Sequence, residues 1–305
     1  MVWAEASGGT LSTRPAGKCS PMNQGSLRLC RSARPRAARC PLLTRAPLLA
    51  LWVSLAVAAG AAELKQETVD AFDRYVRAAE TRVDGRLHGQ SFLWAADSPD
   101  RLKAVRAGQI VAEPLVGHGD AAVAGGLVHD WIGAAFLPGA TLQGTLASVQ
   151  DYDRNKVTHR PEVIDSKVLS RDGDHFRIYL RVMKKKVVTV VLATEHDVRY
   201  FPLDATHCHS RSYSTRIAEV ADPGPREREM PVGNDHGFLW RLDSYWRFEE
   251  RDGGVYIECE AISLTRDIPT GLAWLIEPII RQLPQESLVN TLRATRNAVV
   301  QAGGR

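Results

Sequence analysis

One stretch decides the fold: WRFEERDGGVYIECEAISLTRDIPTGLAWLIEPII, residues Trp246–Ile280. Its first part alternates apolar and polar side chains on both sides of the turn Asp252-Gly253-Gly254, as expected for two antiparallel strands joined by a tight hairpin. After Arg266-Asp267-Ile268-Pro269 the spacing of apolar residues becomes helical, with Trp274 near the start. The stretch therefore predicts a strand hairpin that leads into a helix.

The residues before this stretch predict further strands separated by short turns. These strands are Leu142–Val149, Val163–Ser170, His175–Met183, Val187–Ala193, Asp197–Phe201, His207–Val220, Leu239–Glu249 and Val255–Leu264. Hairpin connections place consecutive strands side by side in an antiparallel meander. Because several strands are apolar on one face and polar on the other, we expect one face in water and one face covered.

The covering element is expected at the C-terminus, where Gly271–Val300 has helical spacing. Pro278 and Pro284 predict that this helix is broken into pieces, because each removes a backbone donor. The elements predicted before the sheet are a helix over Glu63–Arg82, an edge strand over Gln109–Val116 and a short apolar helix over Gly125–Leu137. The predicted class is α+β: a curved antiparallel β-sheet meander gripping a long C-terminal helix, with an extra N-terminal helical segment.

An uncharged run, APLLALWVSLAVAAGAA (Ala46–Ala62), predicts export. Basic residues precede it and small residues close it, which is the organisation of a signal peptide. Since the run is marginal for crossing a bilayer, we expect cleavage near Ala62 and a periplasmic or secreted protein that begins near Glu63. Retention as a membrane anchor is the alternative. The basic region is long for a signal, which favours initiation at Met22 or a later codon.

This signal divides the chain and changes its charge. The expected parts are a leader and signal over residues 1–62, an N-terminal helical extension over 63–124, and the sheet domain over 125–305. Residues 1–62 carry a net charge of +7, so the rest of the chain carries −3 of the total of +4. A mildly acidic chain does not favour nucleic acid as a partner, because phosphate neutralisation needs a basic surface. The run Lys184-Lys185-Lys186 is typical of a strand end or hairpin.

Two segments carry a resemblance to a known superfamily: GGLVHDWIGAAFLPGATL (Gly125–Leu142), before the meander, and the Trp246–Ile280 stretch. In this order, residues 125–300 resemble the START-like, or helix-grip, superfamily, which includes polyketide cyclases, coenzyme Q-binding proteins and lipid-transfer domains. The resemblance implies a cavity between sheet and terminal helix that takes an apolar small molecule, such as a lipid, isoprenoid or quinone. We expect no cofactor and no metal, and transient membrane contact.

Apolar residues on the predicted inward faces are the candidates for lining this cavity. They are Phe176, Ile178, Leu180, Trp246, Ile257, Cys259, Trp274 and Ile279. Arg266 is the candidate for contact with a ligand headgroup at the cavity mouth, with an exposed ion pair as its alternative role. The same apolar residues would also fill an ordinary solid core, so a solid-cored interaction domain remains open.

Binding is favoured over catalysis. A cyclase- or aromatase-type enzyme would need an acid or base facing the cavity, and the inward faces above offer none beyond Cys259. The chain contains no G-x-S-x-G elbow, P-loop or H-E-x-x-H motif. The sequence therefore lacks the signatures of common nucleophilic hydrolases, nucleotide-binding proteins and metalloproteases.

Two cysteines remain after the predicted cleavage, Cys208 and Cys259. Their strands are separated by one intervening strand, which places them roughly 10 Å apart. A disulfide needs Cα atoms within about 7 Å. We therefore expect two free, buried thiols.

Two histidine motifs offer weak alternatives to a binding function. His207 and His209 share one face of a predicted strand and could bind zinc with further ligands, but no second cluster is visible, so surface positions are favoured. His129-Asp130 on the predicted short helix is interpreted as a surface or capping pair rather than an acid–base pair.

Overall fold

The structure, a computed structural model, describes residues 62–87, 89, 91–186, 188–267 and 273–303; within the last range it describes side chains from residue 282 onward. Except for Ala62, the predicted signal lies outside the described residues. Among these residues, no helix combines the length and apolar composition that a membrane crossing requires.

The described chain contains five α-helices and twelve strands, with two short 3₁₀ turns at Trp94–Asp97 and Tyr152–Arg154. The helices are α1 (Gln66–Leu87), α2 (Pro99–Arg106), α3 (Leu142–Val149), α4 (Asn155–Thr158) and α5 (Ala273–Gly303). The strands are β1 (Ala62–Glu63), β2 (Val111–Pro114), β3 (Asp120–Val123), β4 (Gly126–Pro138), β5 (Val163–Asp172), β6 (His175–Lys185), β7 (Thr189–Pro202), β8 (His207–Ala221), β9 (Arg228–Glu229), β10 (Asn234–Asp235), β11 (Arg241–Arg251) and β12 (Gly254–Arg266).

One antiparallel ten-stranded sheet organises the molecule. Its main path is β2-β4-β12-β11-β8-β7-β6-β5, while β3 pairs with β4 and β9 pairs with β8. The predicted meander is present from β5 to β12, and β4 lies beside the last strand rather than beside β5. The sheet is open, with β2 and β5 at its ends.

The C-terminal helix packs across one face, called here the inner face. Helix α5 contacts β4, β12 and β2, and the helix approaches the sheet most closely over Gly133. A Cβ atom at this position would lie 2.8 Å from Leu292 Cδ1 and 3.0 Å from the Val111 carbonyl oxygen. The lack of a side chain at Gly133 therefore allows α5 to seat on β4.

A Gly133→Val variant tests this packing. Because the added side chain would overlap Leu292, we expect it to lower the free energy of unfolding by about 1–3 kcal/mol, measured by urea denaturation. Leu292, which is fully buried, supplies the control: Leu292→Ala should partly relieve the overlap, so the double variant should cost less than the sum of the two single variants. Strict additivity would contradict the contact.

The N-terminal segment covers the opposite, outer face. One side of α1 presents Phe72, Val76, Ala79 and Val83, at helical spacing, to a cluster that includes Ile262 of β12. The segment around the first 3₁₀ turn and α2 packs on β4 and β12 in a second cluster. The N-terminal segment is therefore packing for the outer face of the sheet.

The polar face of the sheet was expected to lie in water. This expectation is wrong for β11 and β12, because the N-terminal segment covers their polar faces. Asp243, Tyr245, Arg247, Glu258 and Glu260 are all buried. Their polar atoms are bonded within the protein: Arg247 pairs with Glu258, Tyr245 and Glu260 bond to α1, and Asp243 accepts from the Ser214 backbone N–H. On β6, which α1 does not cover, the predicted pattern holds, and Arg177 is exposed.

Several predicted elements differ from the structure. Gly125–Leu137 was expected to be a helix, but it is strand β4; both of its faces are covered, so its continuous apolar run resembles that of a buried helix. Leu142–Val149 was expected to be a strand, but it is α3, begun by the Thr141 side chain, which accepts a hydrogen bond from the Gly144 backbone N–H. Helix α5 is one helix that includes Pro278 and Pro284, because most helical stability comes from tertiary packing, here on β4, β12 and β2.

Candidate functional site on the inner face

The inner face of the sheet has a closely packed half. Phe176, Ile178, Ile257 and Cys259 are each 3% exposed or less and belong to one cluster with Leu288 and Leu292 of α5. This half therefore forms the core between the sheet and the C-terminal part of the terminal helix.

Farther along the same strands, the inner face is only partly buried. Leu180 of β6 and Trp246 of β11 pack at the margin of the cluster and keep part of their surface accessible. Further partly buried residues on this part of the face include Val182, Ser212, Ser214, Leu242 and Ser244. We call these seven residues the inner cleft. Strand β6 contributes two apolar side chains to it, β8 contributes two serines, and β11 contributes both kinds.

Six of the eight predicted lining residues are thus placed on the inner face, four in the packed half and two in the inner cleft. The side chains of the other two, Trp274 and Ile279, lie outside the described residues. Arg266 ends β12, where its backbone N–H donates to the Gly237 carbonyl at 2.9 Å and its guanidinium reaches the His236 carbonyl at 3.4 Å. The cavity lining stays a prediction.

The sequence interpretation missed an inward-facing histidine, His196. It pairs with Ile178 of β6 and with Ser214 of β8, and directly paired residues share a face. Its ring Nε2 lies 3.1 Å from the Thr194 hydroxyl, and burial lowers its pKa to about 4. At neutral pH, His196 is therefore an uncharged imidazole beside the inner cleft.

Strand division explains why His196 was missed. Val187–Ala193 and Asp197–Phe201 were predicted as separate strands, which left His196 between them. They form one strand, β7, and the register shift opposite Glu195 and His196 leaves Thr215 of β8 as the extra residue. Val198 and Tyr200 are both buried on the inner face. Extending their alternation two residues back along the strand would have placed His196 on the same face.

His129 and Asp130 do not form an acid–base pair. They are neighbours on β4, so their side chains point to opposite faces. His129 Nε2 lies 3.0 Å from the Thr265 hydroxyl on the inner face, whereas Asp130 accepts from the Tyr75 hydroxyl at 2.8 Å on the outer face. Both are fully buried, so the surface interpretation was wrong.

The cysteine prediction is confirmed. Cys208 and Cys259 are free and buried, on β8 and β12 with β11 between them. Burial raises the pKa of the Cys208 thiol to about 11 and that of Cys259 well above its usual range. Neither thiol is an active nucleophile at neutral pH, since the thiolate is the reactive form.

The His207-Cys208-His209 motif does not assemble a metal centre in the described part of the chain, where no group of three potential ligands converges. Cys208 faces inward and the two histidines face outward. His207 is partly exposed, but His209 is only 7% exposed, so its predicted surface position was wrong.

Comparisons with known proteins concern the fold alone. No protein-family model and no curated protein matches this chain. Similar solved structures include a protein from Thermus thermophilus, with 15% identity, 56% of this chain and 97% of that chain covered, and a TM-score of 0.41. A STAR-related lipid transfer protein from Xanthomonas axonopodis has 17% identity, coverage of 59% and 97%, and a TM-score of 0.40. The Zhui aromatase/cyclase from a Streptomyces species has 14% identity, coverage of 58% and 94%, and a TM-score of 0.35.

These values carry no inference about ligand or chemistry. The chain's own sheet order and the packing of α5 on the inner face give the START-like, helix-grip fold that its sequence resembles.

Proposed function

We propose that this protein is exported and that it binds or carries an apolar small molecule, such as a lipid, isoprenoid or quinone, in the inner cleft. The observation that carries the proposal is the change along the inner face, from a packed half to a half whose side chains remain partly accessible.

The chemistry of the inner cleft suits such a ligand. Small-molecule pockets are mostly apolar, with a few polar groups that fix orientation. Leu180 and Trp246 supply apolar surface, and each Å² of apolar ligand surface removed from water contributes about 25 cal/mol. Ser212 and the neighbouring His196 supply hydrogen bonds without charge, which suits a hydroxyl or carbonyl group on an otherwise apolar molecule.

A Ser212→Phe variant tests the cleft. Ser212 faces inward between Val198 and Ser244, so a phenyl ring there would occupy ligand space. We expect the variant to unfold within about 1 kcal/mol of the wild type, since filling an empty space avoids the overpacking cost of about 1–3 kcal/mol. Its affinity for a fluorescent fatty acid, cis-parinaric acid, should fall about tenfold or more.

The matched control is Thr215→Phe, an exposed position on the same strand, which should bind the probe like the wild type. If Ser212→Phe is strongly destabilised, or if the wild type neither binds the probe nor carries extractable lipid, the proposal is wrong. Export is tested separately by N-terminal sequencing of the protein recovered outside the cytoplasm, where we expect the chain to begin near Glu63.

One observation favours a second function, an acid–base enzyme of the cyclase type that uses the same cleft. His196 supplies the inward-facing titratable group that such chemistry needs. A carrier would release its ligand unchanged in mass from both the wild type and His196→Gln. An enzyme would convert the ligand, and His196→Gln would stop the conversion while leaving binding intact.

A further inference from the structure

A separate groove of about 610 Å³ lies on the outer face, beside the C-terminal end of α1. It is lined by Leu87, Asp197, Arg199, Phe201, His209, Arg211 and Tyr213, and we call it the outer groove. Its volume is in the range of small-molecule sites. Because β7 and β8 contribute their outward-facing residues to it, the outer groove lies on the side of the sheet opposite the inner cleft.

The cationic side chains of the outer groove are unequally neutralised. Arg199 and Arg211 are directly opposite each other on neighbouring strands, an arrangement of like charges that is unfavourable without counter-ions. Arg211 is ion-paired with Asp84, and its Nη1 lies 3.7 Å from Glu80 Oε1. Arg199 makes no ion pair with any residue in the described part of the chain.

The acidic lining residue does not compensate Arg199. Asp197 Oδ2 lies 2.7 Å from His175 Nε2 on the neighbouring strand. The hydroxyl of Tyr213 is also engaged, donating to Glu80 at 2.5 Å. The outer groove therefore presents one guanidinium whose charge is unmatched by the described residues around it.

His209 supplies a hydrogen-bonding group that is almost buried yet unused. Its ring stacks on Phe201 at 4.7 Å between centroids and 11° between planes, and the side chain is only 7% exposed. Neither ring nitrogen bonds to any described residue. Burial and the charges of Arg211 and Arg247 lower its pKa to about 4, so the ring is neutral and offers one N–H donor. This donor is therefore available to a ligand that accepts a hydrogen bond.

We propose that the outer groove binds a small molecule through an oxyanion, a carboxylate or phosphate group, which pairs with Arg199 and accepts a hydrogen bond from His209. Guanidinium groups bind both oxyanions through paired N–H donors. Since this site lies on the opposite side of the sheet from the inner cleft, it stands or falls independently of the apolar-ligand proposal.

Titration of the purified full chain with sodium phosphate and, separately, with sodium benzoate tests this site. Ionic strength is held constant with sodium chloride, and the His209 ring resonances are followed by NMR. We expect a saturable shift with at least one probe. Phosphate alone would identify phosphate-bearing ligands, benzoate alone would identify carboxylates, and binding of both would show a shared oxyanion site.

Two variants separate a built site from general attraction to positive charge. Arg199→Gln should weaken binding about tenfold or more, because it removes the charged partner. Arg177→Gln is the control. Arg177 is an exposed arginine of β6 on the outer face of the sheet, where its guanidinium lies 3.3 Å from Glu195, and its variant should bind the probes like the wild type. Absence of saturation with both probes, or an equal loss in the two variants, would overturn the proposal.

Discussion

Replacing Glu258 by alanine is expected to lower the free energy of unfolding by about 3–5 kcal/mol, because it leaves Arg247 charged and unpaired inside the protein. Both side chains of this pair are only 1% exposed. Arg247 Nε donates to Glu258 Oε1 at 2.7 Å, and Arg247 Nη2 lies 2.7 Å from the same oxygen. The other carboxylate oxygen accepts from the Ala95 backbone N–H at 3.0 Å. One residue thus joins β11 and β12 to the N-terminal segment.

The matched control is the Arg101–Glu113 pair, which has a similar contact distance of 2.9 Å but a Glu113 side chain that is 44% exposed. Glu113→Ala should cost about 1 kcal/mol or less. Arg247→Leu combined with Glu258→Leu should recover much of the loss, since no charge is then left buried. Urea denaturation at pH 7 measures all three variants. If Glu258→Ala lowers the free energy of unfolding as little as Glu113→Ala does, Arg247 must reach water in the variant.

This buried pair also shows what the sequence could and could not predict. The alternation in β11 and β12 predicted the two strands and the faces of their residues. It also predicted water on the polar face, which is wrong because α1 and the segment around Ala95 cover that face. Alternation distinguishes two faces of a strand, but the cover on a polar face depends on partners far away in the chain, such as Ala95, which lies 163 residues before Glu258.

Strand β4 shows a different limit. Its inner residues meet α5 and its outer residues meet the N-terminal segment, so it lacks the polar alternation that identifies a half-buried strand. Its pairing with β12 connects residues far apart in sequence. Local periodicity contains no information on such a pairing, and a continuous apolar run was therefore interpreted as a helix.

The candidate site was predicted in its apolar part only. Phe176, Ile178 and Ile257 followed from strand alternation, and the structure places them together on the inner face. The polar part of the inner cleft depends on Thr194 and His196, which face inward because β7 is one strand that alternates without interruption through both residues. The sequence interpretation ended one strand at Ala193 and began the next at Asp197, so neither residue was assigned to a strand face.

The second large effect expected is on pH dependence, through acids buried beneath α1. Burial raises the pKa of Asp243 to about 7. Asp130 and Glu260 both lie against one guanidinium group, with Arg82 Nη2 at 3.0 Å from Asp130 Oδ2 and 2.6 Å from Glu260 Oε1. Burial raises the pKa values of both acids, and the single Arg82 guanidinium offsets this only in part.

The sign follows from proton binding. The unfolded chain loses these protons near pH 4, whereas folded Asp243 keeps its proton to about pH 7. Folding therefore takes up protons between these values, so this stabilisation is fully present below about pH 4 and is lost as pH rises to about 7. His196 and His209 act oppositely, since their pKa values of about 4 in the folded state lie below the usual value of about 6.5. Their contribution is lost as pH falls from about 6.5 to 4.

Asp243→Asn isolates the carboxylate effect, because both histidines are common to the two proteins. Asparagine resembles the protonated acid and cannot ionise. We therefore expect the free energy of unfolding of the variant, relative to that of the wild type, to increase by about 2 kcal/mol as pH rises from 5 to 8. The free energy of unfolding of Glu260→Gln, relative to that of the wild type, should also increase as pH rises. Asp97→Asn is the control: its hydrogen bond to Arg86 lowers the pKa of the Asp97 carboxyl, so its stability relative to the wild type should stay constant across this range. Urea denaturation at each pH measures the differences, and a constant difference for Asp243→Asn would mean that this carboxyl is already ionised in the folded protein at pH 5.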